Sequence, residues 1–143
     1  MDRAALDVAL EDGFNCGGWC PQGRRAEDGR IAEHYPLRET PSRNYSRRTR
    51  WNVRDSDGTL ILTIGPPTGG TALTQSLAER LGKPVHVVRL DQIPDPEPIR
   101  WWIATESIRV LNVAGPREST CPGIYEQATL FLRRLLGELR KTR

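Results

Sequence analysis

The sequence predicts an α/β fold, a three-layer sandwich in which helices cover both faces of a mainly parallel sheet. Three short apolar runs rich in β-branched residues, at 59–64, 85–90 and 108–114, have the composition of buried strands. Stretches with helical periodicity alternate with these runs, and two of the runs lead directly into glycine loops. Such alternation is typical of a parallel sheet, because parallel strands need a crossover connection.

The totals limit what this chain can be. Its 143 residues have the length of a single domain, and we expect one domain over 1–143. The net charge of +3 is compatible with an anionic small ligand and is lower than expected for a dedicated nucleic-acid-binding protein. No apolar run is long enough for a membrane span and no signal-peptide pattern opens the chain, so a cytoplasmic location is expected. The 3 cysteines cannot all pair and do not have the spacing of a zinc site.

The first elements are a helix and a long polar segment. Residues 2–11 are predicted as a helix, with Asp2 as the N-cap and Gly13 ending it. A short strand that passes into a loop is expected at 14–21. Residues 22–40 are expected to be mostly loop, and a loop longer than ordinary connections favours a functional role. A helix is an unusual start for an α/β fold.

A second helix is predicted at 41–55. Four of its arginines share one face, namely Arg43, Arg47, Arg50 and Arg54. Charge runs are usually solvated, but arginines without an interleaved acid repel each other and favour a phosphate nearby. We expect Arg50 to line the binding cleft.

Helices are also predicted after each of the three strands. The helix after 59–64 has an apolar stripe of Leu73, Leu77 and Leu81. A short helix is expected at 99–105, after a loop rich in proline and aspartate. The final helix is long, with a wide apolar stripe formed by Ile124, Ala128, Phe131, Leu132, Leu135 and Leu139.

The two glycine loops are the predicted binding place. The first contains Thr68, Gly69, Gly70 and Thr71, and the second contains Gly115, Pro116, Arg117, Glu118 and Ser119. Both follow the carboxyl ends of predicted strands, where α/β sheets bind ligands, and the amino end of a helix favours an anion. Neither loop is a Walker A motif or a G-x-G-x-x-G fingerprint. A tight turn without a ligand is the alternative interpretation.

Other candidate residues lie in the polar segment near the start. Trp19 follows two glycines and is expected to stack on a planar ligand ring, with core packing as the alternative. Glu27 and Asp28 are adjacent acids that could act in acid–base catalysis, although surface loops often carry such pairs. The sequence contains no G-x-S-x-G motif.

Eight segments, in order along nearly the whole chain, resemble the molybdenum carrier family. They are 2–7, 17–21, 23–29, 35–40, 50–58, 68–71, 111–119 and 122–127. That family belongs to a wider Rossmann-like group, which includes the phosphoribohydrolases of the Lonely guy type and sensors of nucleotide-derived ligands. The resemblance implies a Rossmann-like sandwich, a homo-oligomer and a phosphorylated small ligand at the strand ends. The name of the family implies the molybdenum cofactor (molybdopterin) as that ligand.

The chain departs from the family pattern at its start. Family members usually carry a strand and a Ser-Gly-Gly-Gln-Thr-Gly-type loop before the residues that match Asp2 and Arg3. The resemblance therefore leads us to expect an N-terminally shortened domain.

A second departure concerns catalysis. The phosphoribohydrolases carry a catalytic Glu in a Pro-Gly-Gly-x-Gly-Thr-x-x-Glu loop, and Thr74 holds that position here. A non-enzymatic carrier or sensor is therefore the preferred hypothesis. The alternative is a nucleotide-processing hydrolase or transferase that uses Glu27, Asp28 or Glu118. A nucleic-acid-binding module that uses the arginine face is a weaker alternative.

Overall fold

The computed structural model describes residues 2–26 and 29–141, so the predicted acid pair Glu27 and Asp28 lies outside the described residues. The helices are α1 (Asp2–Glu11), α2 (Tyr45–Arg54), α3 (Gly69–Arg80), α4 (Glu97–Thr105) and α5 (Ile124–Lys141), and a 3-10 helix covers Leu90–Gln92. The strands are β1 (Trp19–Cys20), β2 (Arg25–Ala26), β3 (Gly29–Arg30), β4 (Arg38–Glu39), β5 (Gly58–Thr63), β6 (Val85–Arg89) and β7 (Leu111–Ala114).

The main sheet has the strand order β6-β5-β7, and both pairings are parallel. In the ladder, Thr59 of β5 lies opposite Val85 of β6 and opposite Asn112 of β7. Every residue of β5 is buried. The prediction of a central strand covered on both faces is therefore confirmed.

The helices lie in two layers, one on each face of this sheet. The chain crosses from β5 through α3 to β6, and then returns over β5 through α4 to β7. Because such crossovers are right-handed, the two connections place α3 and α4 on opposite faces. Helix α2 packs beside α3, while α1 and α4 pack against α5. The predicted three-layer α/β sandwich is confirmed.

Helix α3 turns a different face to the sheet from the one its leucines suggest. Thr71, Thr74 and Ala78 are its buried residues. Leu73 and Leu81 keep 38% and 39% of their surface exposed, so the prediction that the leucines form the packing stripe is wrong. The reason is that small side chains on the sheet side let the helix lie close to β5 and β6.

The segment predicted as mostly loop contains short paired strands and is organised by one buried arginine. Strand β1 pairs in parallel with β4, and β2 pairs antiparallel with β3. Arg24 is 6% exposed, and its guanidinium donates to the carbonyl oxygens of Ile31, Ala32, Tyr35 and Leu37 at 2.7–3.2 Å. Buried carbonyls must be hydrogen-bonded, so Arg24 supplies donors that a strand ladder would otherwise provide.

Helix α2 starts later than predicted, at Tyr45. Asn44 is its N-cap, and the Asn44 side chain accepts a hydrogen bond from the Ser46 amide at 2.9 Å. An Asn side chain in this position satisfies an amide of the first turn, which sets the helix boundary. No helix in the described part of the chain is long and apolar enough to cross a membrane.

Candidate ligand site at the carboxyl edge of the sheet

The topology of the sheet creates a crevice at the carboxyl ends of β5 and β7. These strands are neighbours, with Ile61 opposite Ala114 in the ladder. The chain leaves β5 toward α3 on one face and leaves β7 toward α5 on the other face. Loops that diverge in this way leave a gap between them, and open α/β sheets bind their ligands in such gaps. The two predicted glycine loops therefore border the same crevice.

The first glycine loop exposes the backbone at the amino end of α3. The Thr68 carbonyl accepts hydrogen bonds from the amides of Thr71 and Ala72 at 3.1 and 3.2 Å. Gly69 has a φ of +52°, a left-handed conformation that favours glycine. A Cβ atom at Gly69 or Gly70 would stand in open space, with no described atom within 4 Å. The first turn of α3 thus presents its amide groups, and the positive end of the helix, to an accessible space.

Asp91 sets the charge at the base of this loop. Its carboxylate accepts a hydrogen bond from the Gly65 amide at 3.2 Å and pairs with the Arg89 guanidinium at 2.8 Å. The hydrogen bond from Arg89, followed by that from the Gly65 amide, holds the pKa of Asp91 below its usual range. The Gly65 amide is therefore taken by a carboxylate, and an incoming anion would use the amides at the start of α3.

The second glycine loop contributes a cation. The Arg117 guanidinium lies 4.5 Å from the centroid of the Tyr45 ring, and Arg48 lies 5.7 Å from the same ring. A guanidinium over an aromatic face is attracted by the ring quadrupole. The contact ties this loop to the first residue of α2 and brings two arginines to one aromatic ring.

The remainder of the second loop is closed by its own groups. The Glu118 carboxylate oxygens accept from the Gly123 amide at 2.7 and 3.1 Å, just before α5 begins. The Arg117 carbonyl accepts from the amides of Thr120 and Cys121 at 3.1 and 2.8 Å. Glu118 therefore caps the turn that leads into α5. The other predicted members of this loop are Gly115 and Pro116, which are half-buried, and Ser119, which is exposed.

Trp19 lies at the opposite end of the sheet. Its indole Nε1 donates to Asp55 Oδ2 at 2.7 Å, and its ring meets the Trp51 ring edge-on at 4.7 Å between centroids. The Arg38 guanidinium lies 4.3 Å from the Trp19 ring. Asp55 directly follows α2, whereas the second glycine loop contacts the first residue of that helix. The length of α2, about 15 Å, thus separates Trp19 from the crevice.

The predicted arginine is also not brought to either loop. Arg50 is exposed on α2, beyond the turn that carries Tyr45 and Arg48. The sequence analysis missed both of those residues and Asp91. Two signals could have found them. Tyr45 and Arg48 are one helical turn apart at the end of α2 that meets the carboxyl edge, and Asp91 directly follows a predicted strand.

The two threonines at the start of α3 turn away from the crevice. Thr71 and Thr74 are 6% and 5% exposed, and Thr74 Oγ1 donates to the Gly70 carbonyl at 2.9 Å. The hydroxyl that stands where the phosphoribohydrolases carry Glu is therefore engaged by its own helix. Across 2–26 and 29–141, no group of three His, Cys, Asp or Glu side chains could hold a metal ion.

Comparisons with known proteins connect this geometry to a family. The model of the circularly permutated YpsA SLOG family matches residues 1–136. A crystal structure named "Putative molybdenum carrier protein", from Syntrophus aciditrophicus SB, is 45% identical in sequence. Its alignment covers 94% of this chain and 87% of that chain, with a TM-score of 0.88. A comparison with curated protein sequences gives no significant match. The predicted molybdenum carrier resemblance and Rossmann-like fold are confirmed, and the chain belongs to the circularly permutated YpsA SLOG family.

Proposed function

We propose that this protein binds a phosphate-bearing small molecule at the carboxyl edge of the sheet and holds it without converting it. The observation that carries this proposal is the crevice between β5 and β7, with the open first turn of α3 on one side and Arg117 on the other. A phosphate there would meet backbone amides at a helix amino end and a guanidinium that can donate two hydrogen bonds.

The molybdenum cofactor is the ligand that we favour within this class. The name of the solved relative supports it, and a pterin with a terminal phosphate offers the anion that the start of α3 would bind. The described residues include no cluster that could ligate a metal ion. This chain would therefore hold the cofactor through its phosphate and its organic part. A nucleotide derivative has the same phosphate chemistry and is the alternative ligand.

The carboxylates of the crevice support holding over hydrolysis. Glu118, a candidate acid–base group, caps the Gly123 amide. Asp91 is held ionised by Arg89, so it is poorly suited to donate a proton. Thr74, at the catalytic position of the phosphoribohydrolases, carries a hydroxyl that is bonded to its own helix.

The test has two arms, both with the full chain. In the first, the protein is purified from a host that makes the molybdenum cofactor, and native mass spectrometry identifies what co-purifies. In the second, the protein is incubated with AMP, and free adenine is followed by chromatography. We expect a phosphorylated ligand to co-purify and AMP to be recovered intact. Release of adenine would overturn the carrier function, and failure to bind both AMP and the cofactor would overturn the site.

A further inference from the structure

We propose that the open edge of β7 is a docking site for one more β-strand, which runs parallel to β7 and leads into the amino end of α1. This inference goes beyond the proposed ligand site and does not depend on it. It is carried by an apolar trench beside β7 and by the direction of α1.

The first observation is the trench itself. Strand β7 pairs with β5 on one side, and in the described part of the chain no strand pairs with its other side. A trench of about 830 Å³ runs along that side, and Leu111, Asn112 and Val113 line it. An unpaired strand edge presents a row of amide and carbonyl groups that can pair with another strand. The floor of the trench is therefore hydrogen-bonding backbone.

The second observation is the chemistry of the walls. Helices α1 and α5 contribute apolar side chains, among them Ala5, Leu6 and Leu136. Near the amino end of the sheet, the trench is closed by the segment that reaches Trp19. Apolar walls above a polar backbone edge fit a strand that is buried on both faces. A small polar molecule would leave these walls in contact with water.

The third observation fixes which segment would occupy the trench. Tyr125, in the first turn of α5, donates its hydroxyl to Asp7 of α1, and Arg133 of α5 pairs with Glu11 of α1 at 3.2 Å. Both contacts advance in the same direction, so α1 runs parallel to α5. Each begins at the carboxyl edge of the sheet.

On this face, α4 follows β6 and α5 follows β7, but no described strand of the main sheet precedes α1. A helix in this orientation is reached by a right-handed crossover from a parallel strand, and the free position in the sheet is the trench beside β7. The occupant is therefore a strand that continues into α1, and a loop from its carboxyl end would join the edge where the two glycine loops lie.

The test attaches a designed strand to the chain. Six residues, Thr-Val-Ile-Val-Thr-Val, are joined through a short Gly/Ser loop to the amino side of Asp2. A matched control carries Pro at alternate strand positions, because Pro cannot donate to a ladder. Hydrogen exchange of the β7 amides, without any small ligand, is the readout. We expect exchange of the amides that face the trench to slow by about tenfold or more in the designed form, with no change in the Pro form.

Blocking the trench gives an independent check. In the designed form, Ala5→Phe should fill the trench and abolish the protection of β7, while circular dichroism of the unextended Ala5→Phe chain verifies that the domain still folds. Equal exchange in the designed and Pro forms would overturn the proposal. So would β7 protection in the unextended chain that grows with protein concentration together with a dimer mass, because a second copy would then be the occupant.

Discussion

The two glycine loops at the carboxyl edge resemble each other in sequence, but they are built in opposite ways. The first loop leaves Gly69 and Gly70 beside open space at the start of α3. The second loop is closed on itself, because the Glu118 carboxylate accepts the Gly123 amide and Arg117 lies on an aromatic ring. One loop therefore offers backbone donors, and the other offers a single held charge.

This difference assigns separate roles to the two walls of one crevice. Amides at a helix start bind any suitably sized anion, since they recognise charge and size more than shape. A guanidinium with a fixed position adds geometric selectivity for an oxyanion with two accessible oxygens. We therefore expect the first loop to dominate affinity and Arg117 to contribute a smaller share.

The largest expected effect comes from filling the open loop. Gly70→Leu places a side chain where the phosphate would approach the backbone, and AMP binding should weaken on the order of 100-fold. Gly137→Leu is the matched control, because a Cβ at Gly137 of α5 also meets open space among the described residues. Isothermal titration calorimetry measures both variants. Unchanged affinity in Gly70→Leu would remove the first loop from the site.

Removal of the held charge should have a smaller effect. Arg117→Ala deletes one charge-assisted hydrogen bond, which is worth about 1.5 kcal/mol, so AMP affinity should fall about tenfold. Arg50→Ala, on the exposed face of α2, should change the affinity less than about twofold. Calorimetry at two salt concentrations gives the comparison. A stronger effect from Arg50 than from Arg117 would show that the ligand lies along the arginine face of α2.

Glu118 separates a structural carboxylate from a catalytic one. Glu118→Ala removes the cap before α5, which should cost about 1 kcal/mol and lower the Tm by about 4 °C. Glu118→Gln keeps an acceptor oxygen and should lose less. Differential scanning calorimetry follows both variants, while AMP affinity should stay within about twofold. A tenfold loss of affinity with an unchanged Tm would mean that Glu118 contacts the ligand.

The smallest effect is expected at the opposite end of the sheet. The hydrogen bond from Arg54, assisted by that from Trp19, lowers the pKa of Asp55 from 3.8 to about 2. Because the folded-state pKa is the lower one, the stabilisation is present above about pH 4 and is lost as the pH falls toward about 2. The pair is exposed, with 50% and 42% of the Arg54 and Asp55 side chains accessible, so the contribution is at most about 1 kcal/mol.

Urea denaturation at pH 6 and pH 3, followed by tryptophan fluorescence, measures this contribution. The wild-type chain should lose more stability between the two pH values than Asp55→Asn, and AMP affinity at neutral pH should be the same in both. An equal loss in both chains would contradict the role of Asp55.

Local signals were sufficient to predict most of the fold. The run around Leu60 and the glycine loops follow from composition and neighbouring residues, so the strands, the layers and the shared edge of the loops could be read in advance. The exposure of Leu73 could not, because which face of α3 packs depends on how close the helix lies to β5 and β6.

The site was harder to predict than the fold, for a similar reason. Trp19 is drawn to the C-terminal end of α2 by its bond to Asp55, and the segment that follows it is folded by Arg24 through four backbone carbonyls. These are contacts between residues distant in sequence, and no local pattern encodes them. Tyr45 becomes part of the crevice only because Arg117, far along the chain, lies on its ring.

The most direct test of the site is a titration of the ¹⁵N-labelled protein with AMP, followed by two-dimensional NMR. The largest amide shifts are expected at Gly69, Gly70 and Thr71, with a second group around Arg117. Shifts centred on the Trp19 indole and β7, with none at the start of α3, would contradict the account.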